Sequence, residues 1–217
     1  MPPTSRPADG PSFAIKKRPT QQRARDTYEA ILAATAALLQ EVGIERLSTN
    51  LVCQRVGISP PALYQYFPNK YALLHELGTR LMDQQNALLQ AWATPATMRL
   101  PAAAFTASLL QLFALTHQLT SELTAGDWIT RALRAVPALH HVRTTSHDHV
   151  TGLVHDAFMT AYPQADSGRV RTAVRVVIEC VYAALELLFD DPSQDAEAVA
   201  GIAADMACQQ MLRLRPS

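Results

Sequence analysis

Apolar side chains in this chain recur every three or four positions, and nowhere alternate long enough to make a strand. Tyr28, Ile31, Leu32, Leu38, Leu39 and Val42 form one face of a helix that begins near residue 22 and stops at Gly43. A short helix follows with Ser48 as its N-cap, ended by Gly57 where a tight turn requires positive φ. Leu73, Leu74, Leu77, Leu81, Leu88, Leu89 and Trp92 mark a long helix over about 69–93. Pro95 and Pro101 bracket a linker. Beyond it, Phe105, Leu109, Leu112, Phe113, Leu119 and Leu123 share a face, and a shorter helix covers Trp128 to Val136. Pro137 opens a helix that runs to Tyr162, and the two most apolar stripes come last, near 170–189 and 196–214. The pattern predicts an all-α protein of about nine helices.

Between the second helix and the long one lies ISPPALYQYFPNK, residues 58–70. With Ser59 as N-cap, Pro60 and Pro61 occupy the first two helical positions, where a missing N–H breaks no intrahelical bond. The Ser59 hydroxyl is expected to cap the N–H of Ala62, and Pro68 to stop the helix. Leu63 and Phe67, four apart, then face inward. Tyr64 and Gln65 face outward, with Tyr66 at the boundary. Two short helices around a glycine turn, the second one blunt and apolar at its tip, make a helix-turn-helix unit. Apolar rings suit the thymine methyl group, while tyrosine hydroxyls and Lys70 suit phosphate oxygens.

Residues 23–74 resemble the TetR family of bacterial transcriptional regulators. The family pattern G-[VI]-S-x-x-x-L-Y-x-[HY]-F-x-x-K stands here as Gly57, Ile58, Ser59, Leu63, Tyr64, Tyr66, Phe67 and Lys70. Two departures are Cys53, where the family usually has alanine, and Pro60–Pro61, which leaves few side-chain donors. The resemblance implies a three-helix DNA-binding head, a connecting fourth helix, and a helical body that binds a small ligand and dimerises. Carried over by position, Pro60, Pro61, Ala62 and Tyr64 approach base edges, with Ser59 and Gln65 beside them. Ser48, Thr49, Tyr66 and Lys70 hold phosphates. The domain reading is a disordered arm over 1–19, a DNA-binding domain over 20–68, and a ligand-binding and dimerisation domain over 69–217.

Within that body, Phe105, Leu109, Phe113, Trp128, Phe158, Tyr162 and Tyr182 are candidate pocket residues, with His117 or His155 as polar anchors. Val174, Ile178, Val181 and Leu185, then Val199, Ile202, Met206 and Gln210, are the candidate dimer face.

Charge adds one feature. The net charge is zero, yet residues 1–80 carry ten Lys/Arg against six Asp/Glu, and the rest nine against thirteen. A basic front suits an anionic partner, and from charge alone Lys17, Arg18 and Arg23 of the arm are candidate backbone or minor-groove contacts. Three scattered cysteines read as reduced cytoplasmic thiols rather than a disulfide framework or a zinc knuckle. No stretch is long and apolar enough for a membrane helix, and no glycine loop is built for phosphate. His140, His141, His147, His149 and His155 lack metalloprotease spacing, so no metal, cofactor or catalytic residue is assigned.

The expectation is therefore a homodimeric, ligand-responsive repressor on a pseudo-palindromic DNA operator, released by a small, largely apolar effector. A constitutive DNA binder without effector, or a histidine-metal enzyme, are the alternatives.

Overall fold

The computed structural model describes residues 19–216, and every regular element among them is helical. The arm over 1–19, with Lys17 and Arg18, falls almost wholly outside the described residues. The elements are α1 (Gln22–Arg46), α2 (Thr49–Val56), α3 (Pro60–Tyr64), α4 (Lys70–Trp92), α5 (Pro95–Met98), α6 (Ala102–Glu122), α7 (Gly126–Ala135), α8 (His140–Ala161), α9 (Ser167–Asp190) and α10 (Ala196–Leu212), with a 3-10 turn at Pro137–Leu139 before α8. The extra helix relative to the sequence reading is α5, a single turn inside the proline-bracketed linker. Thr94 caps it by accepting from the Thr97 N–H at 3.1 Å.

Local chemistry sets the other boundaries. Gly43 sits at φ 74°, ψ 172°, so the long run of α1 breaks there and only one further turn follows. Side-chain caps open α2 (Ser48 to the Leu51 N–H, 3.3 Å), α4 (Asn69 to Ala72, 3.0 Å), α9 (Asp166 to Arg169, 2.9 Å) and α10 (Asp195 to Glu197, 2.9 Å).

Two hydrophobic cores form. The first joins α1, α2 and α3 to the front half of α4 and to α7, through residues such as Ile31, Leu39, Leu63, Phe67, Leu73 and Leu133. The second joins the rear of α4 to α5, α6, α8, α9 and α10, through Leu89, Phe105, Phe158, Val174, Ile178 and Leu185. No described helix is long and apolar enough to cross a membrane.

The turn into α7 is tight enough to dictate its residues. Ala125 adopts φ 60°, and a Cβ placed on Gly126 would lie 1.9 Å from the Thr120 carbonyl oxygen. That neighbour is backbone, so it has no rotamer by which to yield. Gly126→Ala should therefore destabilise the fold by about 2 kcal/mol or more, a fall in Tm of roughly 4–8 °C in a thermal melt.

Candidate nucleic-acid interface and the helical body

The head is built around Gly57, which takes φ 74°, ψ 33° and lets the chain reverse between α2 and α3. The N–H groups of Gly57 and Ile58 both bond the Cys53 carbonyl, at 2.9 and 3.1 Å. Cys53 is buried, so its small side chain lies inside the packed head. As the sequence suggests, Pro60 and Pro61 open α3, Leu63 and Phe67 are fully buried, and Ser59, Pro60, Pro61, Tyr64 and Gln65 are exposed.

Two details of the reading are corrected. The Ser59 side chain makes no cap; the Ala62 N–H bonds the Ser59 backbone carbonyl instead, at 3.0 Å. And α3 ends at Tyr64, four residues before Pro68, as the Tyr66 and Phe67 N–H groups tighten onto the Leu63 carbonyl at 2.9 and 3.0 Å.

The exposed face draws two helices together. The Tyr64 hydroxyl lies 3.1 Å from Thr49 Oγ1, joining the outer side of α3 to the start of α2. Beside them, Ser48 accepts its capping bond and keeps its own O–H to donate. Tyr66 packs its ring edge-on against Tyr28, with centroids 5.8 Å apart.

Lys70 has a role the sequence did not show. Its ammonium donates to the carbonyls of Ile44 and Leu47, at 3.1 and 3.2 Å, closing the C-terminal end of α1. These bonds tie α4 to the end of α1, and the side chain remains half-exposed. Arg55 is likewise engaged, in a two-pronged pair with Glu41 at 2.9 and 2.6 Å that holds the Glu41 carboxyl below its usual range. Arg23 is exposed.

In the body, α4, α6, α8, α9 and α10 enclose an apolar cavity of about 70 Å³. Of the candidate pocket residues, Leu109, Phe113 and Tyr182 line it. The other six are occupied elsewhere. Phe105 packs on Trp92 (5.7 Å between centroids) and His117 stacks on Phe189 (5.0 Å). Trp128 lies against Gly43 of the head, and His155 bonds Asp156 and Ser167 at 2.9 and 3.0 Å. Phe158 and Tyr162 pack on each other, and the Tyr162 hydroxyl donates to the Met98 carbonyl at 3.2 Å.

The polar group that adjoins the cavity wall is one the sequence placed in a different cluster. His147 is fully buried, stacks on Tyr182 with centroids 4.2 Å apart, and bonds Glu179 through Nδ1 at 3.0 Å. Burial pushes the His147 pKa down despite Glu179. Burial also opposes ionisation of Glu179, but His147 and the guanidiniums of Arg143 (3.1 Å) and Arg175 (2.8 Å) outweigh it and hold the carboxylate below its usual range. The neutral imidazole thus donates Nδ1–H to the carboxylate and presents Nε2 as an acceptor. Neither that Nε2 nor the buried Tyr182 hydroxyl has a hydrogen-bond partner among the described residues.

Three of the candidate dimer residues, all on α9, are corrected, while Val181 and the four on α10 line an open groove. Val174, Ile178 and Leu185 are buried in the chain's own core. The apolar groups left open are Val176 (56% exposed), Leu187 (42%), Ile202 (64%) and Met206 (57%). With Val181, Val199 and Gln210 they line a groove of about 870 Å³ along α9 and α10. The sequence signal was present: α9 is apolar on more than one face, and such a helix has two surfaces to cover.

Together these features define a helix-turn-helix head on an all-helical body. Residues 31–77 match the family model for bacterial regulatory proteins of the tetR family. Over this head segment the chain is similar to TetR-family regulators. It is 41% identical over 54 residues to the tetracycline repressor protein class C of Escherichia coli, a match covering 25% of each chain. It is 32% identical over 90 residues to the HTH-type transcriptional regulator EthR of Mycobacterium tuberculosis, 42% of each chain. The matched segments thus span from a quarter to less than half of these relatives. In fold it is similar to a TetR-family transcriptional regulator from Streptomyces coelicolor, with TM-score 0.62 at 16% identity over 88% of this chain and 90% of that one. A TetR transcription regulator from Haloarcula marismortui gives TM-score 0.61 at 17% identity, over 87% and 98%.

The buried histidine sets a pH dependence. With its folded pKa below the unfolded value near 6.5, His147 resists a proton that the unfolded chain accepts, so stability falls as pH drops through about 6.5. Glu179, depressed from 4.5, removes further stability at lower pH. Thermal melts between about pH 7.5 and 5.5 should show Tm declining, and His147→Asn should flatten that decline.

Proposed function

We propose that this protein is a transcriptional regulator, not an enzyme, that binds a pseudo-palindromic DNA operator as a homodimer and is released by a small effector. The domain division at residues 68 and 69 follows the same reading. The observation that carries it is the blunt, outward end of α3. Pro60 and Pro61 remove two backbone donors there, and the tip offers two apolar rings beside the linked hydroxyls of Tyr64 and Thr49. Such a surface reads thymine methyls and holds phosphate through hydroxyls, leaving charge neutralisation to Arg23 and the basic residues before it.

The dimer uses the groove face of α9 and α10, where four large apolar side chains stand open on one surface. Two heads carried this way enter successive major grooves when about 34–36 Å apart. The effector site is the cavity bordered by Leu109, Phe113 and Tyr182. Its roughly 70 Å³ is far below the several hundred a drug-sized ligand occupies, so entry requires the helices to part. That requirement gives an effector the differential affinity needed to shift the head spacing. The partnerless His147 and Tyr182 atoms favour a mostly apolar molecule with one hydrogen-bonding group.

The test is selection of duplexes from a random pool followed by binding measurements. Tyr64→Ala should lose about tenfold or more of affinity for the selected duplex while remaining dimeric. Met206→Arg should shift the protein to monomer in sedimentation and weaken operator binding with it. Parent-like DNA binding by Tyr64→Ala would reassign the reading helix.

A further inference from the structure

His75 on α4 and His141 on α8 are 66 residues apart in sequence, yet their Nε2 atoms meet at 3.1 Å. The rings are tilted by 36° with centroids 5.0 Å apart, so they converge at their nitrogen edges rather than stack. Zinc–imidazole bonds of about 2.0–2.1 Å in a tetrahedral shell place two ligand nitrogens about 3.3 Å apart. The observed gap is within a few tenths of an ångström of that edge.

We propose that His75 and His141 chelate one divalent transition-metal ion of the zinc, nickel or copper class, pinning α4 to α8. In the metal-free protein the same geometry is an Nε2–H···Nε2 hydrogen bond between neutral rings. On metal binding, the donor ring's proton moves to its own Nδ1, so both Nε2 lone pairs face the ion and no proton need leave. If that ring is His75, the new Nδ1–H faces Thr79 Oγ1 at 3.5 Å, the kind of outer bond that orients a ligating imidazole.

The surroundings suit an open chelate. The pair borders a groove of about 550 Å³ also lined by Asp83, Asn86, Ser146 and His149. No three metal-ligating side chains converge among the described residues, so the remaining coordination positions belong to water or to an incoming donor. Imidazole ligands select the later first-row ions over magnesium or calcium. Since α4 carries the head's core on its front half, an ion fixed between α4 and α8 favours one setting of that helix.

The experiment uses the full chain, with any affinity tag removed and metal stripped by chelator. Zn²⁺, Ni²⁺ and Cu²⁺ are titrated near pH 7.5, where unperturbed imidazoles are neutral. The expected result is saturable binding of one ion per chain with a rise in Tm. His75→Gln and His141→Gln should each weaken it by more than about tenfold, and His140→Gln should leave it intact. Copper spectra should report two nitrogen ligands in the parent and one in either variant. No saturable binding of any of the three ions, or parent-like binding by the double variant, overturns the proposal. His141 lies exposed at the start of α8, so its variant decides the matter even where His75→Gln disturbs packing. The outcome does not depend on whether the head binds DNA.

Discussion

The structure turns on one helix belonging to two cores. The front of α4 buries Leu73, Leu74 and Leu81 against the head, and its rear buries Leu89 among the body helices. Arg80, near the changeover, grips the Glu29 carboxylate of α1 with two bonds of 2.7 and 2.8 Å, reaches Glu76 at 3.0 Å, and lies over the Tyr28 ring. These bonds are partly exposed and individually modest, but they act on a helix already fixed by apolar burial. The head consequently follows α4. A tilt of α4 that kept the first core intact would carry the reading end of α3 with it.

The head does not close on itself. Its core is completed by α7, whose Trp128 ring rests against Gly43 and whose Leu133 fills the space beside Gly78. Glycine at position 78 matters for that approach, since a Cβ there would meet Leu133 Cδ2 at 2.6 Å. So the glycine that breaks α1 also lies against the indole of Trp128.

How much of this was legible follows from the range of the forces involved. The head was readable nearly residue by residue, because proline at the first helical positions, a capping serine and an αL glycine act within a few residues. Lys70's bonds were not legible, because a motif position says nothing of the two carbonyls 23 and 26 residues earlier that its ammonium meets. In the body the helices were found but their faces were not. A helix as apolar as α9 has no single stripe to give its phase, so Val174 and Val176 are indistinguishable until packing buries the one and leaves the other exposed. The histidines show the same limit. Read as one cluster, they are dispersed by the helix: His147 turns into the core, His155 turns to Ser167, and His141 meets His75 on another helix.

What remains is how the proposed dimer face and the head are joined, and α7 again lies between them. At the C-terminal end of α9, Arg131 bonds the Phe189 carbonyl and the Asp190 carboxylate (3.0 Å) while its guanidinium covers Trp128 at 5.4 Å. Arg134 reaches Glu186 at 3.0 Å. These bonds anchor the helix that supports the head core to the helix that carries half of the groove. In a dimer packed through α9 and α10, any change in how α9 sits is therefore felt at α7, and α7 touches the head directly. The cavity is walled by the rear of α4, through Leu89 and Trp92, and by α9. In the proposed dimer, a ligand that parted those walls would move α4 and α9 together, as control of the distance between two heads by so small a cavity would require.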